Sequence, residues 1–312
     1  MALRERALLG QISDVDLRLV RMFCAVADCG GIATAELKLN IDISTVSRHI
    51  KDLETRLGLV LCRRGRSGFA LTPDGERVYA AAQQLLRALD TFRTDVLDAG
   101  RTLEGTLHLA LFEKTATNPH AHIAAALAQF QQMACAVTLH LHVSDITAIE
   151  QGVIDGQFHL GVIPEHRRSE RLAYHELFDE TMLLYVGRDH PWFATAGRAR
   201  DWSDLGAQRL AGLDYHSPNM EITRMHDLTC SATASDQEGV AHLILSGAFL
   251  GFLPAHYAAP FVSEDRLRAV YPDGLRYECR YSAIHLKPLP PLRAAQVFLS
   301  CLLASRHGVS AG

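Results

Sequence analysis

Three short runs of apolar residues at helical spacing open the chain. Leu17, Val20, Phe23, Cys24 and Ala27 fall three and four apart and predict an amphipathic helix that Gly30-Gly31 stops. A second helix is predicted at 32–39 and a third at 43–57, ended by Gly58. In the third, Val46, Ile50, Leu53 and Leu57 make one apolar stripe. Ser44, Thr45, Arg48, His49 and Lys51 are left on the outer side. Next, Leu-Gly-Leu-Val-Leu-Cys-Arg-Arg (57–64) and Phe-Ala-Leu-Thr (69–72) read as two short strands around a Gly-rich tip.

A long helix is predicted at 74–99, with Thr72 as N-cap and Pro73 at the first helical position. Val78, Ala82, Leu85, Leu89, Phe92 and Val96 alternate at spacings of four and three, a heptad seam. Such a seam predicts a partner helix, and packing on the chain's own body is the alternative. From Glu104 the period changes. Strands are predicted near 107–112, 137–143, 158–163, 182–187, 209–213, 249–253 and 276–286. Helices are predicted from Asn118-Pro119 to about 133, and near 146–154, 219–227, 236–246 and 291–305. Alternation of this length implies right-handed βαβ units, a parallel sheet and two lobes.

Length and composition agree with this division. A chain of 312 residues calls for two or three cores, and 48% hydrophobic with 21% charged residues is ordinary globular usage. The first 15 residues lack the long apolar core of a secretory leader and read as a short extension. No run of 18 apolar residues predicts a membrane span. Seven scattered cysteines, none in a C-x-x-C pair, point to a reducing cytoplasm, away from a disulfide framework and a structural zinc site.

The net charge of −4 does not advertise a nucleic-acid binder, but its distribution does. Between Arg48 and Arg66 six Lys or Arg (48, 51, 56, 63, 64, 66) face two acids, Asp52 and Glu54. The helices at 32–39 and 43–57 are separated by the short turn that a helix-turn-helix needs. Ala35 is small where they would touch, Asn40 suits a positive φ, Ile41 fills the corner, and Asp42 suits the N-cap.

On these residues the stretch from Asp16 to Gly75 resembles the winged helix-turn-helix of the LysR-type transcriptional regulators. The matching segments are DLRLVRMFCAVAD (16–28), GG-I-x-T-A (30–35), TVSRHIKDLETRLGLVLCRR (45–64) and ALTPDGE (70–76). The order of the later segments, a long linker helix and then about 200 residues of α/β pattern, also fits. The resemblance implies an all-α winged helix-turn-helix DNA-binding domain (16–73) after an extension (1–15), and a linker and dimerisation helix (74–100). It further implies an α/β two-lobed periplasmic-binding-protein-like effector domain (104–305). Its first lobe would be 104–164 plus 271–305 and its second 165–270.

The resemblance implies a DNA-binding transcriptional regulator, not an enzyme, controlled by a small molecule held between the lobes. Its partners would be a double-stranded DNA operator, a small-molecule effector and RNA polymerase. It would be a homodimer through antiparallel linker helices along Val78, Ala82, Leu85, Leu89, Phe92 and Val96, and a homotetramer through the effector lobes. The implied DNA-facing residues are Thr34, Ile43, Ser44, Thr45, Ser47, Arg48 and Lys51, with Arg63, Arg64 and Arg66 in the wing. Arg48 can fork two hydrogen bonds to a guanine or clamp a phosphate. One departure is informative. Where many members carry Ser-Gln-Pro or Ser-Gln-Ser, this chain has Asp42-Ile43-Ser44. Ile43 cannot hydrogen-bond as Gln does, so it either meets a thymine methyl and shifts operator preference, or packs against the wing or linker.

Ligands of such sheets bind at strand carboxyl ends and helix N-termini. That rule selects Lys114, Thr115, Thr117, Asn118, Ser144, Ile146, Pro164, His216 and Asn219 as effector contacts. Lys114, Thr115, Thr117 and Asn118 at one predicted helix start suggest an anionic or carboxylate effector, whereas Glu113 in the same loop suits an amine. His140 and His142 share a strand face, but without a nearby Cys or Glu they read as an exposed polar face and no metal is expected. No resident cofactor is expected. Two rival readings are a DNA binder without ligand control and an α/β enzyme. The second lacks G-x-G-x-x-G, G-x-x-x-x-G-K-[ST] and G-x-S-x-G signatures.

Overall fold

The computed structural model describes residues 12–65, 68–98, 103–288 and 292–306. The chain divides into two compact units, Met1–Phe92 and Arg93–Gly312, each with its own core. No helix of the described residues is long and apolar enough to cross a membrane.

The N-terminal unit contains α1 (Asp14–Asp28), α2 (Ile32–Leu39), α3 (Ile43–Leu57), the hairpin of β1 (Cys62–Gly65) and β2 (Gly68–Leu71), and the start of α4 (Pro73–Asp98). Helix α1 begins two residues inside the expected extension because of a capping box. The Asp16 amide donates to Ser13 Oγ, and the Ser13 amide donates to Asp16 Oδ2. Asp16 is buried and also accepts from Arg56 Nε near the end of α3. The Ser13 hydrogen bonds first, and Arg56 next, hold its carboxyl at about 2. The turn forms as expected: Asn40 is left-handed at φ 53°, and Asp42 caps α3 by accepting from the Ser44 amide. The stripe of α3 supplies Val46, Ile50 and Leu53 to a core with Phe23, Val26 and Leu61.

The first strand is shorter than expected because Glu54 intervenes. Its Oε1 accepts the amides of Leu61 and Cys62 at 2.8 and 3.3 Å, so a helix side chain satisfies backbone that a strand partner would have taken.

The second unit is built on one nine-stranded sheet, ordered β4-β3-β5-β11-β6-β9-β7-β8 with β10 also on β6. The strands are β3 (Glu104–Leu111), β4 (Ala136–Val143), β5 (Leu160–Pro164), β6 (Leu172–Gly187), β7 (Leu210–Leu213), β8 (Cys230–Ala234), β9 (Leu250–Pro254), β10 (Leu267–Ala269) and β11 (Arg276–Leu286). The helices are α5 (Ile123–Met133), α6 (Ile146–Ile154), α7 (Pro218–Met225), α8 (Gln237–Leu245), α9 (Ala255–Ser263) and α10 (Arg293–Ser305). Strands β3, β4 and β5 run parallel in one lobe, and β7, β8 and β9 run parallel in the other. The long antiparallel pair β6 and β11 joins them.

Sequence periodicity misses part of this frame. Strand β6 begins ten residues before the expected 182, because its first half pairs with β11 beside β5 and its second half with β9. Strand β6 therefore spans the sheet from the neighbourhood of β5 to β9. Strands β8 and β10 are short and half-exposed, and α9 carries Pro260 in its interior, so none shows a clean period. The helix expected from Asn118 starts only at Ile123. A 3₁₀ turn at Thr115–Thr117 and left-handed backbone at Lys114 (φ 62°) and His122 (φ 49°) precede it.

Candidate functional site

The polar side of α3 is open. Ser44, Arg48 and Lys51 are exposed, Thr45 and Ser47 half-exposed, and Thr34 on α2 is exposed beside them in sequence order. Ile43 is 44% exposed at the first position of α3 and is not among the buried residues of the N-terminal core. Its amide donates to Glu36 Oε1 at 3.2 Å, which ties the helix start to α2. Arg63 is exposed on β1, and Arg64 pairs through its backbone with Phe69. The Arg64 side chain and the whole of Arg66 lie outside the described residues.

The heptad seam of α4 is only partly free. Val78 and Tyr79 pack against the N-terminal core, and Ala82 is buried at 5% exposure within its own chain. Leu85 and Leu89 are half-buried and Phe92 is 68% exposed. The side chain of Val96 lies outside the described residues. Apolar surface left for a partner thus begins past Ala82, because the first turns of α4 serve the domain that carries them.

In the second unit, three capped helices point their N-termini at the space between the lobes. Asp145 caps α6 and Asp236 caps α8, accepting from the amides of Ala148 (2.9 Å) and Gly239 (2.7 Å). Ser217 caps α7, accepting from the Met220 amide, with Pro218 at the first helical position. Between them lies a small cavity, lined from one lobe by Phe112, Ile146 and Pro164 and from the other by Leu213, Ser217, Asn219 and Gln237. Glu180, Met182, Tyr277, Cys279 and Tyr281 of the joining strands floor it. A larger adjoining chamber is lined by Phe112, Glu113, Ser144, Asp145, Tyr215 and Asp236 among others.

Four expected effector residues line this space: Ser144, Ile146, Pro164 and Asn219. The other five do not. Lys114 pairs with Glu238 at 3.3 Å and Glu113 at 3.8 Å and lies over the Tyr257 ring. Thr115 is buried and donates to the Phe112 carbonyl. Thr117 Oγ1 lies 2.9 Å from His256 Nδ1, and buried Asn118 donates to Glu180 Oε1 at 3.2 Å. His216 stacks at a tilt on His166, 4.9 Å between ring centres. Lys114 and Thr117 thus clasp one lobe to the other, and Asn118 ties its loop to the joining strand β6. The expected anion-binding helix start is therefore corrected: no regular helix begins at Asn118, and Lys114 is already engaged by acids.

Glu180 shows how strongly the clasp is built. It is buried and accepts from Asn118, from the Tyr281 hydroxyl (3.1 Å) and from His256 Nε2 (2.7 Å). Burial first, and the Glu180 charge next, raise the Tyr281 hydroxyl well above its ordinary value, so it remains a donor. Sequence reasoning misses Glu180, Gln237 and Tyr277, which sit mid-strand or in a helix turn where only the fold reveals that they face a cleft.

Comparison with known proteins joins the two halves. Residues 17–76 match the bacterial regulatory helix-turn-helix protein, lysR family, and residues 100–306 match the LysR substrate binding domain. The HTH-type transcriptional activator BauR of Pseudomonas aeruginosa is 37% identical over 305 residues, covering 98% of this chain and 100% of the relative. The DNA-binding transcriptional dual regulator OxyR of Escherichia coli is 24% identical over 90% of this chain and 92% of its own length. Full-length CbnR, solved in complex with its target DNA, shares the fold with a TM-score of 0.66 at 21% identity, over 93% of this chain and 99% of that one. The chain belongs to the LysR family of transcriptional regulators, DNA-binding proteins with a ligand-responsive effector domain rather than enzymes.

Proposed function

We propose that this regulator lays α3 in the major groove of a roughly palindromic operator and changes its action at the promoter when a small molecule fills the interlobe cleft. The observation that carries the DNA half is the division of α3: Val46, Ile50 and Leu53 are fully buried while Ser44, Arg48 and Lys51 are exposed. Arg48 reads base or phosphate, Ser44 and Thr45 assist, and the wing arginines Arg63, Arg64 and Arg66 neutralise phosphates. Two copies meet through Leu85, Leu89, Phe92 and Val96 of α4, so the half-site spacing obeys the symmetry of the dimer. A tetramer through the effector domains and contact with RNA polymerase extend the same reading, and the relative BauR, a transcriptional activator, supports the latter.

Footprinting on the chain's own upstream DNA, with and without candidate metabolites, tests the proposal. The expected result is protection of a few sites, altered by ligand and lost with Arg48→Ala. Broad protection indifferent to any ligand would favour an architectural DNA binder and overturn it.

A further inference from the structure

We propose that the cleft recognises its effector through a cationic amine, held by the Gln237 amide oxygen and the acidic wall of Glu113, Asp145 and Asp236. The inference rests on the reading of this cleft as the effector site and adds the chemical class of what enters.

The first observation is an orphan acceptor. Gln237 is 4% exposed and lines the cavity, and its Oε1 is buried without a hydrogen-bond partner among the described residues. A buried acceptor left unsatisfied is destabilising, and a ligand that brings an N–H group removes that cost.

The second observation is charge. The adjoining chamber shares Phe112 with the cavity and is lined by three carboxylates, with no Lys, Arg or His among its described lining residues. The two chambers are also bonded to each other: Glu113 Oε1 accepts the Gln237 amide at 2.7 Å. Helix N-termini ordinarily attract anions, but here both ends that border the chamber are already closed by the protein's own acids. Asp145 caps α6, and Asp236 and Glu113 both accept from the first turn of α8. An entering carboxylate would meet like charge, and the nearby cation, Lys114, is bonded to Glu238. Among the described residues no three His, Cys, Asp or Glu side chains converge closely enough to hold a metal ion, so the wall fits an organic cation.

Matched four-carbon probes test this on the full-length protein by calorimetry and thermal shift: n-butylamine and putrescine as cations, butyrate and succinate as anions. Asp145→Asn and Asp236→Asn remove charge yet keep a capping side chain, Gln237→Leu removes the orphan oxygen, and Ser144→Arg puts a cation in the chamber. Their melting without ligand shows that each folds. The expected result is stabilisation by the amines alone, with Kd weakened about tenfold by each Asn variant and by Gln237→Leu, and binding abolished in Ser144→Arg. Binding of the anions, tightened by the Asn variants, would overturn the amine proposal while leaving the cleft as the effector site. Amine binding unchanged in all four variants would overturn the proposal and the assignment of the site together. No stabilisation by either amine would overturn the proposal alone.

Discussion

Gly75 stands so close to Leu61 that a β-carbon added to it would lie 1.9 Å from the Leu61 carbonyl oxygen. That oxygen also accepts the Thr72 amide at 3.0 Å, and Thr72 Oγ1 in turn accepts the Gly75 amide at 2.9 Å. The start of α4 is therefore fastened to the strand that carries the wing. Gly75→Ala is expected to destabilise the N-terminal unit by about 2–4 kcal/mol, since backbone rather than a movable side chain must yield. Hydrogen exchange at the Thr72 amide checks it: protection should fall in the variant, and unchanged protection would refute the steric account.

Ile43→Gln is expected to change which base is preferred at one or two operator positions, with total affinity kept within about tenfold. The exposed side chain at the first position of α3, beside Ser44, motivates this. Selection of operators from a randomised pool reads the outcome directly. An identical preference in both proteins would show that Ile43 touches no base.

Phe92 is the most exposed aromatic residue on the described part of α4, further along the seam than half-buried Leu85 and Leu89. Phe92→Asp is expected to weaken self-association at least about tenfold, because a charge would have to be desolvated at an apolar seam. Val78→Ala should instead lower the thermal stability of the monomer unit, since Val78 packs on its own core. Analytical ultracentrifugation separates the two effects, and equal dissociation constants for Phe92→Asp and the parent would remove α4 from the interface.

Two histidines give the effector unit an acid-sensitive stability. Burial first, then the neighbouring His108 ring for His159 and the His216 ring with Arg167 for His166, lower both from 6.5 to about 4. The folded state thus binds fewer protons than the unfolded chain between those values. Stability is full above 6.5 and falls as pH drops toward 4. His159→Asn keeps an acceptor for the His108 amide, which donates to His159 Nδ1 at 3.0 Å, but removes the titration. Its stability, read from thermal melts, should decline less steeply over this interval, by a difference on the order of 1–2 kcal/mol. Parallel curves would assign the acid sensitivity elsewhere.

Much of the architecture is legible in the residues themselves. The bounds of α2, α3 and α6 come from period and caps that act within one turn: Asn40, Asp42, Gly58 and Asp145 set local backbone wherever the chain later packs. The polar face of α3 is equally local, since a stripe of Val46, Ile50 and Leu53 leaves the opposite side to solvent.

The cleft is a different kind of object. Ser144, Ile146, Pro164 and Asn219 are legible because they come after strand ends, where ligands of open sheets gather. Lys114 misleads because its charge is readable but its partners, Glu238 and Tyr257, come from another lobe. Glu180 and Gln237 carry no local signal at all; their meaning arises when β6 crosses between lobes and α8 turns its first residue toward Glu113. Short-range capping and periodicity thus determined α2, α3, α6 and the polar face of α3 from sequence alone. Only the tertiary structure decided which charges neutralise each other, because pairing across more than a hundred residues depends on packing that no local pattern encodes.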